Sequence, residues 1–207
     1  MKITKYNHSC LLIADQGKVI LIDPGNYSAP IFPLNELKQL DYILITHQHQ
    51  DHFDMELVKK LVAKFSDVMI ITTNAIVKQL RNDGITATTE GDETVQVTPV
   101  PHEKVWAAPM GENIMVTVFG RLAHPGDSHT FTTDAEILAL PVAAPWGSTT
   151  TAVELAEKLH PKIIIPIHDY MLKDESRKMT YQWIAGYLQS KGIDFKQIES
   201  GQEVEIM

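Results

Sequence analysis

The apolar run Tyr42-Ile43-Leu44-Ile45 leads directly into Thr46-His47-Gln48-His49-Gln50-Asp51-His52, which places three imidazoles and a carboxylate at one strand end. Along an extended backbone, positions i and i+2 project from the same side, so the rings of His47 and His49 can converge on one ion. Asp51 and His52 fall where the chain turns toward a helix, outside the strand's alternation, and can face a second ion close to the first. A lone histidine in a strand is usually a hydrogen-bonded structural side chain. Four ligand-type residues in this order after a buried strand point instead to metal. The stretch requires a fold in which a buried strand opens onto a site at its C-terminal end, the usual place for chemistry in α/β sheets.

The rest of the chain reads as an ordinary globular protein. Its 207 residues, 44% hydrophobic and 21% charged, suit one domain over 1–207. No apolar segment reaches the length of a bilayer span, and Met1-Lys2-Ile3-Thr4-Lys5 lacks a signal peptide's apolar core. The expectation is a cytoplasmic protein with no membrane contact. Cys10 is the only cysteine and sits in the apolar run Cys10-Leu11-Leu12-Ile13, where it reads as a small buried hydrophobe. The formal net charge of −8 argues against a protein built to grip long nucleic acid, which relies on clustered Lys and Arg. A small anionic substrate is not disfavoured, because bound metal ions offset the acidity locally. Assembly into a homo-oligomer stays open.

Periodicity divides the chain into strand-rich and helix-rich stretches. Strands are expected over Lys2 to Tyr6, Ser9 to Ala14 and Lys18 to Ile22, with Asp15-Gln16-Gly17 as a turn, and over Asp41 to Thr46. Asp54 then caps a helix whose stripe is Leu57, Val58, Leu61, Val62 and Phe65. A strand over Val68 to Thr72 precedes a second helix, capped by Asn74 and stopped by Gly84. Further strands are expected over Ile85 to Thr89, Thr94 to Val100, Asn113 to Phe119, Arg121 to His124 and Ile137 to Leu140. The last third gives a helix over Thr151 to Leu159, a strand over Lys162 to Ile167, and a long helix over Asp174 to Ser190. The buried stripe of that last helix is read as Met179, Trp183, Ile184, Tyr187 and Leu188, and a terminal hairpin is expected around Gly201. Two strand-rich blocks, each followed by helices, suggest a sandwich with helices outside.

The chain holds nine histidines, and their positions matter more than their number. His102 follows the strand ending at Val100, Asp127 lies in the turn His124-Pro125-Gly126-Asp127-Ser128-His129, and His168 directly follows Ile163-Ile164-Ile165-Pro166-Ile167. Each leaves a strand as His47 does. Residues distant in sequence that all occupy strand ends can be neighbours in space.

The order His-x-His-x-Asp-His, then a His, then Gly-Asp, then Pro-x-His resembles the metallo-β-lactamase superfamily of metal-dependent hydrolases along nearly the whole chain. Asn7-His8-Ser9-Cys10-Leu11-Leu12-Ile13, Leu21-Ile22-Asp23-Pro24 and Pro161 to His168 are most similar to its small hydrolases, the branch that includes L-ascorbate-6-phosphate lactonase. The resemblance implies an α/β fold of the αββα type, a four-layer sandwich of two mixed sheets with outer helices. It also implies two divalent ions, one held by His47, His49 and His102, the other by Asp51, His52 and His168, with Asp127 bridging. Asp51 and His168 are then the candidates for a catalytic part. Thiolate-free ligands suit Zn²⁺ first, and also Mn²⁺ or Fe²⁺. Such a centre lowers the pKa of bound water from 15.7 to about 7 and polarises a carbonyl or phosphoryl oxygen, so no serine or cysteine nucleophile is needed.

Other polar residues carry weaker expectations. Asp23 is read as a carboxylate behind the ligating histidines, while His8, His124 and His129 either orient substrate or are half-buried structural groups. His160, before Pro161, is read as structural. Asp127 stands where many true metallo-β-lactamases carry a cysteine, which argues against antibiotic hydrolysis. Pro145-Trp146-Gly147-Ser148-Thr149 departs from the glycine-rich loop usual in the branch, so substrate contacts there do not transfer. The leading expectation is a hydrolase of a small anionic ester, a phosphodiester or a lactone. The alternatives are a nuclease acting on short RNA ends and a non-catalytic metal-binding sensor or interaction protein.

Overall fold

Alternating apolar residues and one tight turn set up the N-terminal meander. Strands β1 (Lys2–Lys5), β2 (Leu11–Asp15) and β3 (Lys18–Ile22) pair antiparallel. Gln16 and Gly17, at φ 48° and 76°, form the two-residue turn whose twist matches the flanking strands. The computed structural model describes residues 1–106 and 110–207, and the chain forms two compact units, Met1–Gly91 with Ile198–Met207, and Asp92–Gln197.

In the first unit, β4 (Tyr42–Leu44) and β5 (Met69–Ile71) join β3 in parallel, and a C-terminal strand, β12 (Glu203–Glu205), pairs antiparallel with β1. The result is a mixed six-stranded sheet in the order β12-β1-β2-β3-β4-β5. Helix α1 (Met55–Lys64) starts where the Asp54 carboxylate accepts the Leu57 amide, and buries Leu57, Val58 and Leu61. These pack with Leu21, Ile43 and Ile45 from the sheet and with Ile76 and Leu80 of α2 (Asn74–Asn82).

The second unit repeats the plan. Strands β6 (Val95–Pro99), β7 (Ile114–Val118), β8 (Leu122–His124), β9 (Ile137–Pro141), β10 (Ile163–Ile167) and β11 (Asp194–Phe195) form a mixed sheet in the order β11-β10-β9-β8-β7-β6. The parallel pair β9 and β10 is linked by α3 (Thr149–Leu159), which Ser148 opens with a capping box to Thr151. The parallel pair β10 and β11 is linked by α4 (Asp174–Gln189). Leu138, Leu140, Ala152, Leu155, Ile164, Ile184 and Leu188 form the core of this unit. Two mixed sheets with helices give the α/β class expected. Among the described residues no helix is long and apolar enough to cross a membrane.

Several elements differ from the sequence reading. Thr73 rather than Asn74 precedes α2, and its side chain makes no cap bond. The segment around Ile85 to Thr89 forms only a bridge between Thr88 and Ile71. The terminal hairpin is absent: β11 pairs with β10, whereas β12 pairs with β1. In α4 the buried stripe is Tyr181, Ile184 and Leu188, while Met179, Trp183 and Tyr187 are 47%, 67% and 45% exposed. Both stripes satisfy helical spacing, so periodicity alone could not choose between them.

Candidate metal centre

Within the first unit, the loop His47 to His52 is held from below by one buried carboxylate. Asp23 ends β3 in the left-handed region at φ 48°, and its Oδ1 accepts the Thr46 amide at 2.8 Å. Its Oδ2 accepts the Thr46 hydroxyl at 2.8 Å and His52 Nδ1 at 2.6 Å. Having given its proton to Asp23, the Thr46 hydroxyl accepts from His47 Nδ1 at 3.1 Å. One carboxylate thereby sets two tautomers: His47 and His52 carry their protons on Nδ1 and keep an Nε2 lone pair for a ligand.

Those lone pairs converge on further ligand atoms. His47 Nε2 lies 3.1 Å from His49 Nδ1, and His52 Nε2 lies 3.8 Å from Asp51 Oδ2. His8 joins them, its Nε2 3.0 Å from Asp51 Oδ2. His8, Asp51 and His52 each offer a ligand atom within 4.8 Å of the others. Asn7 and His8 stand at φ 57° and 37°, a pair of left-handed non-glycine residues that turns the buried His8 ring toward Asp51. Gly25 closes the support. A Cβ there would lie 1.9 Å from the Asp51 carbonyl oxygen, so only glycine lets the Asp23–Asn26 turn run this close under the loop.

Within the second unit the same construction recurs. His102 Nδ1 donates to the Glu103 carbonyl at 2.6 Å and His168 Nδ1 to the Ala143 carbonyl at 2.8 Å. Their Nε2 atoms approach Asp127 Oδ2 at 3.5 and 3.3 Å. Asp127 is fixed through its backbone, its amide donating to Asn113 Oδ1 and its carbonyl accepting from the Glu103 amide. His168 is at φ 59°, a left-handed kink that ends β10.

The remaining histidines brace the walls. His124 is buried and its Nδ1 accepts the Gly126 amide at 3.3 Å. His129 Nε2 donates to the Pro141 carbonyl at 2.9 Å, and burial pushes its pKa below the ordinary value. His160 is the left-handed C-cap of α3. Cys10 is buried and burial pushes its thiol up to about 12, which removes it as a nucleophile.

Each unit thus presents imidazole nitrogens, anchored through the opposite ring nitrogen, against carboxylate oxygens. That donor chemistry fits divalent ions. The first unit gathers His8, Asp23, His47, His49, Asp51 and His52, and the second gathers His102, Asp127 and His168. Sequence reasoning gave His8 too little weight, because the double kink at Asn7 and His8 leaves no periodic signal. Trp146 carried no role in the sequence beyond its place in a divergent loop; its indole Nε1 donates to Asp127 Oδ2 at 2.9 Å.

Residues 2–168 match the family described as the beta-lactamase superfamily domain. A UPF0173 protein of Pyrococcus abyssi is 30% identical over 184 residues, covering 81% of this chain and 83% of the relative. A UPF0173 metal-dependent hydrolase of Nanoarchaeum equitans is 30% identical over 191 residues, with the same 81% and 83% coverage. Among solved structures, a metallo hydrolase from Ignicoccus hospitalis superposes with a TM-score of 0.75 at 17% identity, covering 100% of this chain and 99% of that one. A metal-dependent hydrolase from Parabacteroides distasonis gives 0.74 at 23% identity, covering 96% and 92%. The chain belongs to the beta-lactamase superfamily, and it is a metal-dependent hydrolase with the metallo-β-lactamase fold.

Proposed function

We propose that the two ligand sets serve one dinuclear centre, that 1–207 acts as a single catalytic domain, and that the substrate is a small anionic ester, a phosphodiester or a lactone. His47, His49 and His102 would hold one ion and Asp51, His52 and His168 the other, with Asp127 as a ligand shared by the two sets. The observation that carries this reading is the repeated anchoring of Nδ1: on Thr46, Asp23, Glu103 and Ala143 for His47, His52, His102 and His168. Side chains held in one tautomer, with lone pairs facing carboxylates, are prepared for ions rather than for solvent. Zn²⁺ is the first choice. When bound, such ions supply a hydroxide nucleophile at neutral pH and polarise the bond to be cleaved. The protein's own contribution is orientation: Asp23 and Thr46 lock the rings, and Gly25 lets the supporting turn approach. With only two carboxylates among the proposed ligands, two divalent ions would keep net positive charge, which would favour an anionic substrate.

The test is turnover of a panel of phosphodiesters, phosphorylated lactones and short oligonucleotides by the metal-loaded full chain, with His49→Ala and Asp51→Ala as controls. Hydrolysis of a small ester that is lost in both variants supports the reading. Cleavage of oligonucleotides in preference to small esters would move the assignment to a nuclease, and activity surviving both substitutions would reject it.

A further inference from the structure

We infer that Trp146 is a positioning residue of the metal centre, its indole N–H tethering the carboxylate of Asp127. The inference rests on the reading of Asp127 as a ligand. Asp127 Oδ2 receives the indole at 2.9 Å and lies 3.5 and 3.3 Å from the Nε2 atoms of His102 and His168. The indole is therefore directed at the oxygen that the ligating histidines also face. A neutral donor there withdraws electron density without adding charge, and it limits rotation of the carboxylate about its Cβ–Cγ bond.

The surrounding chain holds the indole in this place. Ala144 and Gly147 exchange two backbone hydrogen bonds of 3.3 Å, closing a turn with Pro145 and Trp146 at its tip. Below the turn, a Cβ on Gly147 would come within 3.0 Å of the His129 ring, and that ring stands edge-on to Trp146 with centroids 4.9 Å apart. His129 is pinned to Pro141 at the end of β9, and Thr149, the first residue of α3, donates to the Val142 carbonyl. On its other side Trp146 packs against His168, centroids 5.4 Å apart. A tight turn anchored to a strand at one end and a capped helix at the other gives the indole little freedom. Trp146 accordingly borders both Asp127 and His168.

The test uses the full chain. A Trp106→Phe/Trp183→Phe variant leaves Trp146 as the single tryptophan, since the chain has three. Zn²⁺ added to the metal-free form of that variant should change the Trp146 emission saturably. Trp146→Phe in the otherwise native chain should keep its ions by elemental analysis at saturation but bind them about 10-fold more weakly, the low end for loss of a group that orients a ligand. Emission indifferent to metal in protein shown to hold ions, or native metal affinity in Trp146→Phe, overturns the inference and leaves the metal reading intact. A native chain that takes up no ions refutes the metal reading, and this one with it.

Discussion

Asp23 holds the His47 to His52 loop at its base, because its two oxygens fix Thr46 and His52 directly and His47 through Thr46. Asp23→Asn preserves shape but offers an N–H where an acceptor is needed. We expect it to lose about 2–4 kcal/mol in urea denaturation and about 10- to 100-fold in metal affinity. Gly25→Ala should cost about 1–3 kcal/mol by overpacking against the Asp51 carbonyl, and the strain should appear as weakened metal binding measured by competition with a chelator. Cys10, buried and with its thiol pushed up to about 12, should resist a disulfide reagent at pH 8 in the native protein and react fully in guanidinium. Rapid modification of the folded chain would show that the Cys10 site is open to solvent.

Helix α4 separates two kinds of apolar residue. Ile184→Ala or Leu188→Ala should cost about 2–5 kcal/mol, because each side chain is buried in the second unit's core. Met179→Ser or Trp183→Ser should stay within about 0.5 kcal/mol, as for other exposed positions. Thermal denaturation of the four variants distinguishes this register of the helix from one rotated toward Met179 and Trp183. Local signals made most elements readable: the Asp54 cap, the Gln16-Gly17 turn and the apolar runs of β3, β4 and β10 each lie within a few residues. What was misread depends on partners far away in sequence. The chain after Gly192 looks like a hairpin, yet β11 and β12 pair with β10 and β1. The loop around Trp146 carries no signal for its role in the sequence, because the acceptor Asp127 lies 19 residues away in the chain.

At the level of the molecule, the two units share a plan, each a mixed six-stranded sheet with candidate ligands at its strand ends. The contiguous His47 to His52 cluster is legible because four of the seven proposed ligands lie in one loop. His102, Asp127 and His168 were legible only as a recurring position after strands, and it was the superfamily resemblance that assigned them to ions. The proposed centre links stability to metal: chelation should lower Tm by an amount that grows with the logarithm of the metal concentration used for reconstitution. The most direct test of the account is to count ions by elemental analysis in purified, Zn²⁺-reconstituted protein and in its His49→Ala and His52→Ala variants. The account predicts two ions per chain in the native protein and loss of one in each variant. A native chain with one ion or none, or variants that retain both, would contradict it.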